Sequence, residues 1–166
     1  MTIYDLHPTP GIIRDGWSVP ENGKLKLQRC PSLFKYFIKG CGFDRECELV
    51  INGKVVYTIP KDEYFCILVS DAVKCGENSI EFCGKGKLII EPVPSEYIQN
   101  AHFENDENTS YICGEAIGMG TLSILPIGRE AIKKELDNEQ FKIALPNECK
   151  NYIVEFNDDR LVCSIV

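Results

Sequence analysis

The sequence predicts an all-β chain built from small antiparallel sandwich-like parts in tandem, with one short helix and an extended N-terminal arm. Three observations predict it. Short runs of β-branched and aromatic residues recur along the chain. Turn signals separate them at roughly eight- to twelve-residue intervals, as in antiparallel sandwiches and barrels. Asn52-Gly53 lies between two such runs, and Asn-Gly supplies the positive φ values of a tight hairpin turn.

Residues 1–29 form the expected arm. Pro8, Pro10, Gly11, Gly16, Pro20 and Gly23 interrupt any regular element there. Its apolar anchors are Ile12, Ile13, Trp17 and Val19. A large aromatic in an irregular arm usually docks on something. These four residues are the expected partner-binding set, laid either on the chain's own domain or on a neighbouring subunit.

Residues 30–94 form the expected first β-sandwich-like domain. "LFKYFIKG", "CELVINGKVVYTI", "EYFCILV", "NSIEF" and "KLIIEPV" read as successive strands. Between two of them lies the corner "SDAVKCGENSIEF". Ser70 and Asp71 are suited to capping one helical turn, and Gly76 to a left-handed stop after it.

Residues 95–166 form the expected second β-rich domain. "HFENDENTS" reads as an acidic loop, followed by the strands "YICGEA", "TLSILPI", "QFKIAL", "NYIVEF" and "RLVCSIV". "GREAIKKELDN" carries helix formers, with Ile132 and Leu136 four residues apart and Asn138 as a stop, and is the expected short helix. "ELVINGKVVYTI" and "YIVEFNDDRLVCSI" echo one another as hydrophobic hairpins around asparagine turns.

Composition narrows the function. A chain of 166 residues with net charge −7 and no Lys/Arg run is poorly suited to a phosphate backbone, so no nucleic-acid partner is expected. No apolar run reaches the roughly 20 residues of a helical membrane span, and no basic-then-apolar leader opens the chain. The nine cysteines contain no C-x-x-C pair, so the usual zinc and redox spacing is missing. Several sit in apolar strands, where a free thiol behaves as a small hydrophobe. Reduced thiols imply folding in a reducing cytoplasm.

Chemistry-bearing sets are sparse. A nucleophile with its base needs Ser, Cys or Thr beside His. His7 and His102 lie in no recognisable nucleophile motif, so no catalytic residue is expected. Asp62/Glu63 and Glu104/Asp106/Glu107 are the carboxylate groups, and solvated loops explain them better than glycoside chemistry. The "HFENDEN" loop lacks the D-x-D-x-D-G spacing of a calcium loop. No metal or cofactor is expected.

One segment carries a family resemblance. Val50, Asn52, Gly53, Val69, Ser70, Asp71, Gly76, Asn78 and Ile80 stand as "v-x-N-G … v-S-D … G-x-N-x-I". Over residues 48–82 the chain resembles galactose-binding-like modules, a jelly-roll or immunoglobulin-like β-sandwich. The resemblance implies scaffold roles for these positions and carries over no binding residue. In architecture, a small acidic β-protein with an arm also resembles bacteriophage virion accessory proteins. The implied function is a non-enzymatic capsid decoration or tail/baseplate component of the virion, holding neighbouring protein subunits through its arm and sheet surfaces. The alternative is a carbohydrate-binding or host-adhesion module, with Tyr57, Tyr64 or Tyr97 stacking on sugars.

Overall fold

The computed structural model describes residues 12–165. Sixteen strands run through them, and no helix occurs among the described residues. The described residues divide into two compact units, residues 16–93 and residues 94–165 together with residues 12–15.

In the first unit, β2 (Trp17–Ser18), β4 (Lys35–Cys41), β7 (Phe65–Leu68) and β9 (Lys87–Val93) form one antiparallel sheet in the order β2-β9-β4-β7. β3 (Gly23–Leu27), β5 (Cys47–Ile51), β6 (Lys54–Ile59) and β8 (Gly76–Glu81) form the other, ordered β3-β8-β5-β6. Alternation along each strand supplies one apolar face per sheet. Tyr36, Ile38, Ile67, Leu88 and Ile90 from the first sheet meet Leu27, Leu49, Ile51, Ile59 and Ile80 from the second in one buried core. The β5–β6 hairpin turns on Asn52 and Gly53, whose φ values of 51° and 79° are the left-handed pair that Asn-Gly predicts.

In the second unit, β1 (Ile12–Arg14), β12 (Met119–Pro126), β13 (Ile132–Asp137), β15 (Asn151–Phe156) and β16 (Asp159–Ser164) form a sheet ordered β1-β16-β15-β12-β13. β10 (Tyr97–Asn105), β11 (Ser110–Ile117) and β14 (Gln140–Ala144) form a three-stranded sheet ordered β10-β11-β14. Ile112, Phe141, Ile124, Tyr152, Val154 and Cys163 are among the residues that fill the core of this unit. The arm segment therefore enters as structure: residues 12–14 pair with β16, and residues 17–18 and 23–27 pair with β9 and β8. Residues 1–11 of the expected arm lie outside the described residues.

Three local expectations need correction. "GREAIKKELDN" is not a helix. Ile132 to Asp137 pair with Ile124 to Met119 as strand β13. A two-turn helix is marginal on its own, and here six residues find a ladder partner while Leu136 is buried in the core. "HFENDENTS" is not all loop, because β10 runs on to Asn105 and β11 begins at Ser110. In the corner the expected single turn does form, with Val69 O accepting from Ala72 N and Val73 N at 2.9 and 3.2 Å, and Gly76 follows it at φ 93°, so only the cap is corrected. Ser70 does not cap it: its hydroxyl accepts from Tyr36 N at 2.9 Å. The Lys74 N–H that follows the turn is taken instead by Asn78 Oδ1 of β8, at 2.8 Å.

Candidate functional site

The outward face of the β10-β11-β14 sheet gathers most of the chemistry in the second unit. Along these strands Ala101, Phe103, Phe141 and Ile143 pack on the core, so their neighbours His102, Glu104 and Lys142 face outward. Register sets His102, Cys113 and Lys142 in one row across the three strands. Glu104 and Tyr111 occupy the next row on the same face.

A β-bulge makes this row possible. Gln99 pairs with Glu115 and His102 with Cys113, so three steps on β10 match two on β11. The irregular segment contains Asn100, held at φ 55°. With regular pairing Ala101 would stand opposite Cys113, and the imidazole would face the core. A bulge re-aims side chains in this way.

The polar groups form a chain. His102 Nδ1 lies 2.7 Å from Asn100 O, and Nε2 lies 3.1 Å from Glu104 Oε1. Lys142 Nζ sits 3.0 Å from Glu104 Oε2 and 4.6 Å above the Tyr111 ring. Tyr111 donates its hydroxyl to Asp106 Oδ2 at 2.8 Å, while Asp106 Oδ1 accepts from Asn108 N and Thr109 N and closes the hairpin. Asp106 is thereby committed to the turn. The nitrogen of His102, a carboxylate oxygen of Glu104 and Sγ of Cys113 all lie within 4.8 Å of one another. Together with Asn100, Gln140 and Lys142 they line a surface groove of about 370 Å³.

The electrostatics follow from these contacts. The Asn100 carbonyl, and then the Glu104 carboxylate, raise the His102 pKa. His102 and Lys142 together hold the Glu104 carboxyl below its ordinary range, and Glu104 raises Lys142. Burial, and then the Glu104 charge, push the Cys113 thiol up. A nucleophilic thiol needs the opposite shift. The row is therefore a set of linked charges with a protonated thiol at its centre, not an activated Cys–His pair.

The residues singled out in the sequence lie elsewhere. Ile12 is buried in the second unit, opposite Cys163, and Val19 is buried in the first. Trp17 is half-buried against the first core, opposite Ile90. Ile13 alone of the four is substantially exposed, at 43%. Tyr57 packs on Phe65 with ring centroids 5.2 Å apart, and Tyr97 lies 5.7 Å beneath the Arg14 guanidinium. Tyr64 is half-buried. None of the three tyrosines is a bare stacking platform. The sequence signal for the groove was the alternation His102-Phe103-Glu104, hidden because the segment reads as a polar loop.

Fold and site together define a class: a two-unit antiparallel β-sandwich chain with a polar groove on one sheet. No protein-family model matches the sequence, and no curated protein does. Solved structures do share its fold. A β-glucuronidase from an uncultured Clostridium sp. is similar at TM-score 0.55 and 11% identity, over 86% of this chain and 33% of that one. The Ruminococcus gnavus β-glucuronidase in complex with uronic isofagomine is similar at TM-score 0.53 and 11% identity, over 99% and 37%. Another structure described as the R. gnavus enzyme gives 0.51 and 10%, over 95% and 35%. This chain spans about a third of the length of these glycosidases. At such identities the likeness is one of fold. Nothing in these neighbours points to a virion protein.

Proposed function

We propose that this chain is a non-catalytic carbohydrate-recognition module, and that the groove on the β10-β11-β14 sheet is where a glycan binds. The observation that carries this reading is the fold: nearly the whole chain shares it with a third of proteins named as β-glucuronidases. Carbohydrate binding was the alternative drawn from the sequence, and these neighbours favour it over the virion reading. The groove supplies suitable chemistry. His102 and Lys142 donate, Glu104 accepts, and the amides of Asn100 and Gln140 do both. Alternating donors and acceptors suit the vicinal hydroxyls of a sugar, and the Lys142 ammonium suits a uronic carboxylate. Exposed Ile13 leaves surface for a protein neighbour.

The test is a glycan array probed with the full chain, containing β-linked glucuronides and neutral β-glycans, followed by titration calorimetry. Binding that weakens at least roughly tenfold in Lys142→Ala, the loss of a hydrogen bond to a charged group, supports the reading. An array without hits overturns it. Measurable hydrolysis of a chromogenic β-glucuronide would overturn the non-catalytic part.

A further inference from the structure

We propose that His102, Glu104 and Cys113 form a zinc-type transition-metal site, with His102 Nε2, one Glu104 oxygen and Cys113 Sγ as the three protein ligands. The inference goes beyond glycan binding: the ligand set is complete without a sugar, and in the metal-loaded groove His102 and Glu104 hold the ion while Asn100, Gln140, Lys142 and the open metal position are left to a sugar.

Four features of the site carry it. The first is the donor set. Imidazole, carboxylate and thiolate are the ligand types of zinc, and three protein ligands with one open position is the pattern of accessible zinc sites. The second is spacing. Zinc bonds of about 2.0–2.3 Å at tetrahedral angles place ligand atoms roughly 3.3–3.8 Å apart. The three atoms here already lie within 4.8 Å of one another, and His102 Nε2 to Glu104 Oε1 is 3.1 Å. A contraction of about 1 Å at the longest pair, within reach of side-chain rotation, completes the site.

The third feature is the outer shell. A ligating histidine commonly donates its other N–H to a backbone carbonyl, which fixes ring orientation and tautomer. Asn100 O, 2.7 Å from Nδ1, stands in that position, presented by the bulge. With Nδ1 as donor, Nε2 turns a lone pair toward Glu104 Oε1. Two lone pairs at 3.1 Å need a positive species between them, either a proton or a metal ion. Lys142 holds the second Glu104 oxygen at 3.0 Å, which leaves Oε1 free to ligate singly.

The fourth is access. The ligands line a surface groove rather than a closed core, so an ion can enter and a water or ligand oxygen can take the fourth position. On binding, Cys113 releases its thiol proton to solvent and any proton on Nε2 leaves with it. The metal replaces both.

The sequence could not show this. The usual zinc signature places paired cysteines two residues apart. Here the ligands come as His-x-Glu on one strand and a single Cys on its neighbour, joined only by register.

Cobalt titration of the reduced full chain tests the site. One equivalent of Co²⁺ is expected to give a near-ultraviolet thiolate charge-transfer band and visible bands of tetrahedral intensity. Cys113→Ser is expected to abolish the charge-transfer band. His102→Gln is expected to weaken binding by at least roughly tenfold, in line with losses seen even for outer-shell changes. Cys75→Ser, at an exposed thiol, is expected to leave the spectrum unchanged. Circular dichroism of each variant confirms that it is folded. A charge-transfer band that survives in folded Cys113→Ser, or no band at all in the wild-type chain, overturns the proposal. So does unchanged affinity in His102→Gln.

Discussion

Asn52 donates its side-chain amide to Asn78 Oδ1 at 2.9 Å, and this bond ties the β5–β6 turn to the start of β8. Each partner has further work. Asn52 Oδ1 accepts from Ser79 N and its Nδ2 also donates to Ala72 O. Asn78, fully buried, donates from Nδ2 to Lys74 O and Gly76 O and accepts from Lys74 N. Both asparagines thus join chain segments that would otherwise leave backbone groups unpaired.

The first prediction follows from that knot. Asn78→Ala removes the buried side chain that accepts from Lys74 N and donates to Lys74 O and Gly76 O, at a cost of about 1–3 kcal/mol per group left unsatisfied. Asn78→Asp is expected to cost more, because a carboxylate would face the Lys74 and Gly76 carbonyls. Urea denaturation of the single variants and of Asn52→Ala/Asn78→Ala measures the coupling. An additive double variant would show that the two side chains act separately.

Arg14 and Asp159 make a buried ion pair in the second unit. Arg14 Nε is 3.0 Å from Asp159 Oδ1, and Asp159 Oδ2 also accepts from Ile98 N at 2.8 Å. Removing one member leaves a buried charge, which costs about 3–5 kcal/mol. Arg14→Leu is expected to lose that much in denaturant unfolding. Arg160→Ala, whose partners Asp15 and Glu155 are exposed, is expected to change stability by under about 1 kcal/mol.

Alkaline pH should weaken the second unit. Burial pushes the Tyr152 phenol from 10.0, and the Cys163 thiol from 9.0, to about 12. Both are raised in the folded state, so the neutral forms are the ones the fold favours. Their contribution is fully present below pH 9, and it is lost as pH rises from there through about 12. Unfolding free energies across that range should fall less steeply in Tyr152→Phe and in Cys163→Ala. Thiol labelling at neutral pH should reach Cys41, Cys75 and Cys83 first, and Cys47, Cys66 and Cys163 only after unfolding. Equal slopes in wild type and both variants would refute the assignment.

The bulge at Asn100 offers a fourth test. Its φ of 55° suits Asn or Gly. Asn100→Gly is expected to be close to neutral. Asn100→Val forces a β-branched residue into a left-handed conformation, at about 1–2 kcal/mol. It should also shift the His102 ring resonances in a proton–nitrogen correlation spectrum, because the Asn100 carbonyl orients the imidazole. Unmoved His102 resonances would mean that the bulge does not set the ring.

Much of the fold could be read locally. Asn52-Gly53 predicts its hairpin because the turn's dihedral demands are met by those two residues alone. The same holds for the strands rich in Ile, Val, Tyr and Phe, where alternation marks the buried face. The expected helix over "GREAIKKELDN" failed for the converse reason. Its local preference is weak, and the six-residue ladder with β12 outweighs it. "HFENDENTS" conceals its strand ends because a half-exposed edge strand and a polar loop share a composition.

By itself, then, the sequence determined an all-β chain, its main hairpin and the burial of Cys47, Cys66 and Cys163, whereas Cys83, in an equally apolar run, is exposed. Each of these depends on residues close together in the chain. Only tertiary structure decided that Ile12 and Val19 bury in the protein's own cores, and that Arg14 finds Asp159. It alone brought His102, Glu104, Cys113 and Lys142 to one face. Those groupings depend on strand register and on one bulge. A one-residue slip in register turns every side chain of a strand to the opposite face, and local sequence preferences are too weak to set that register.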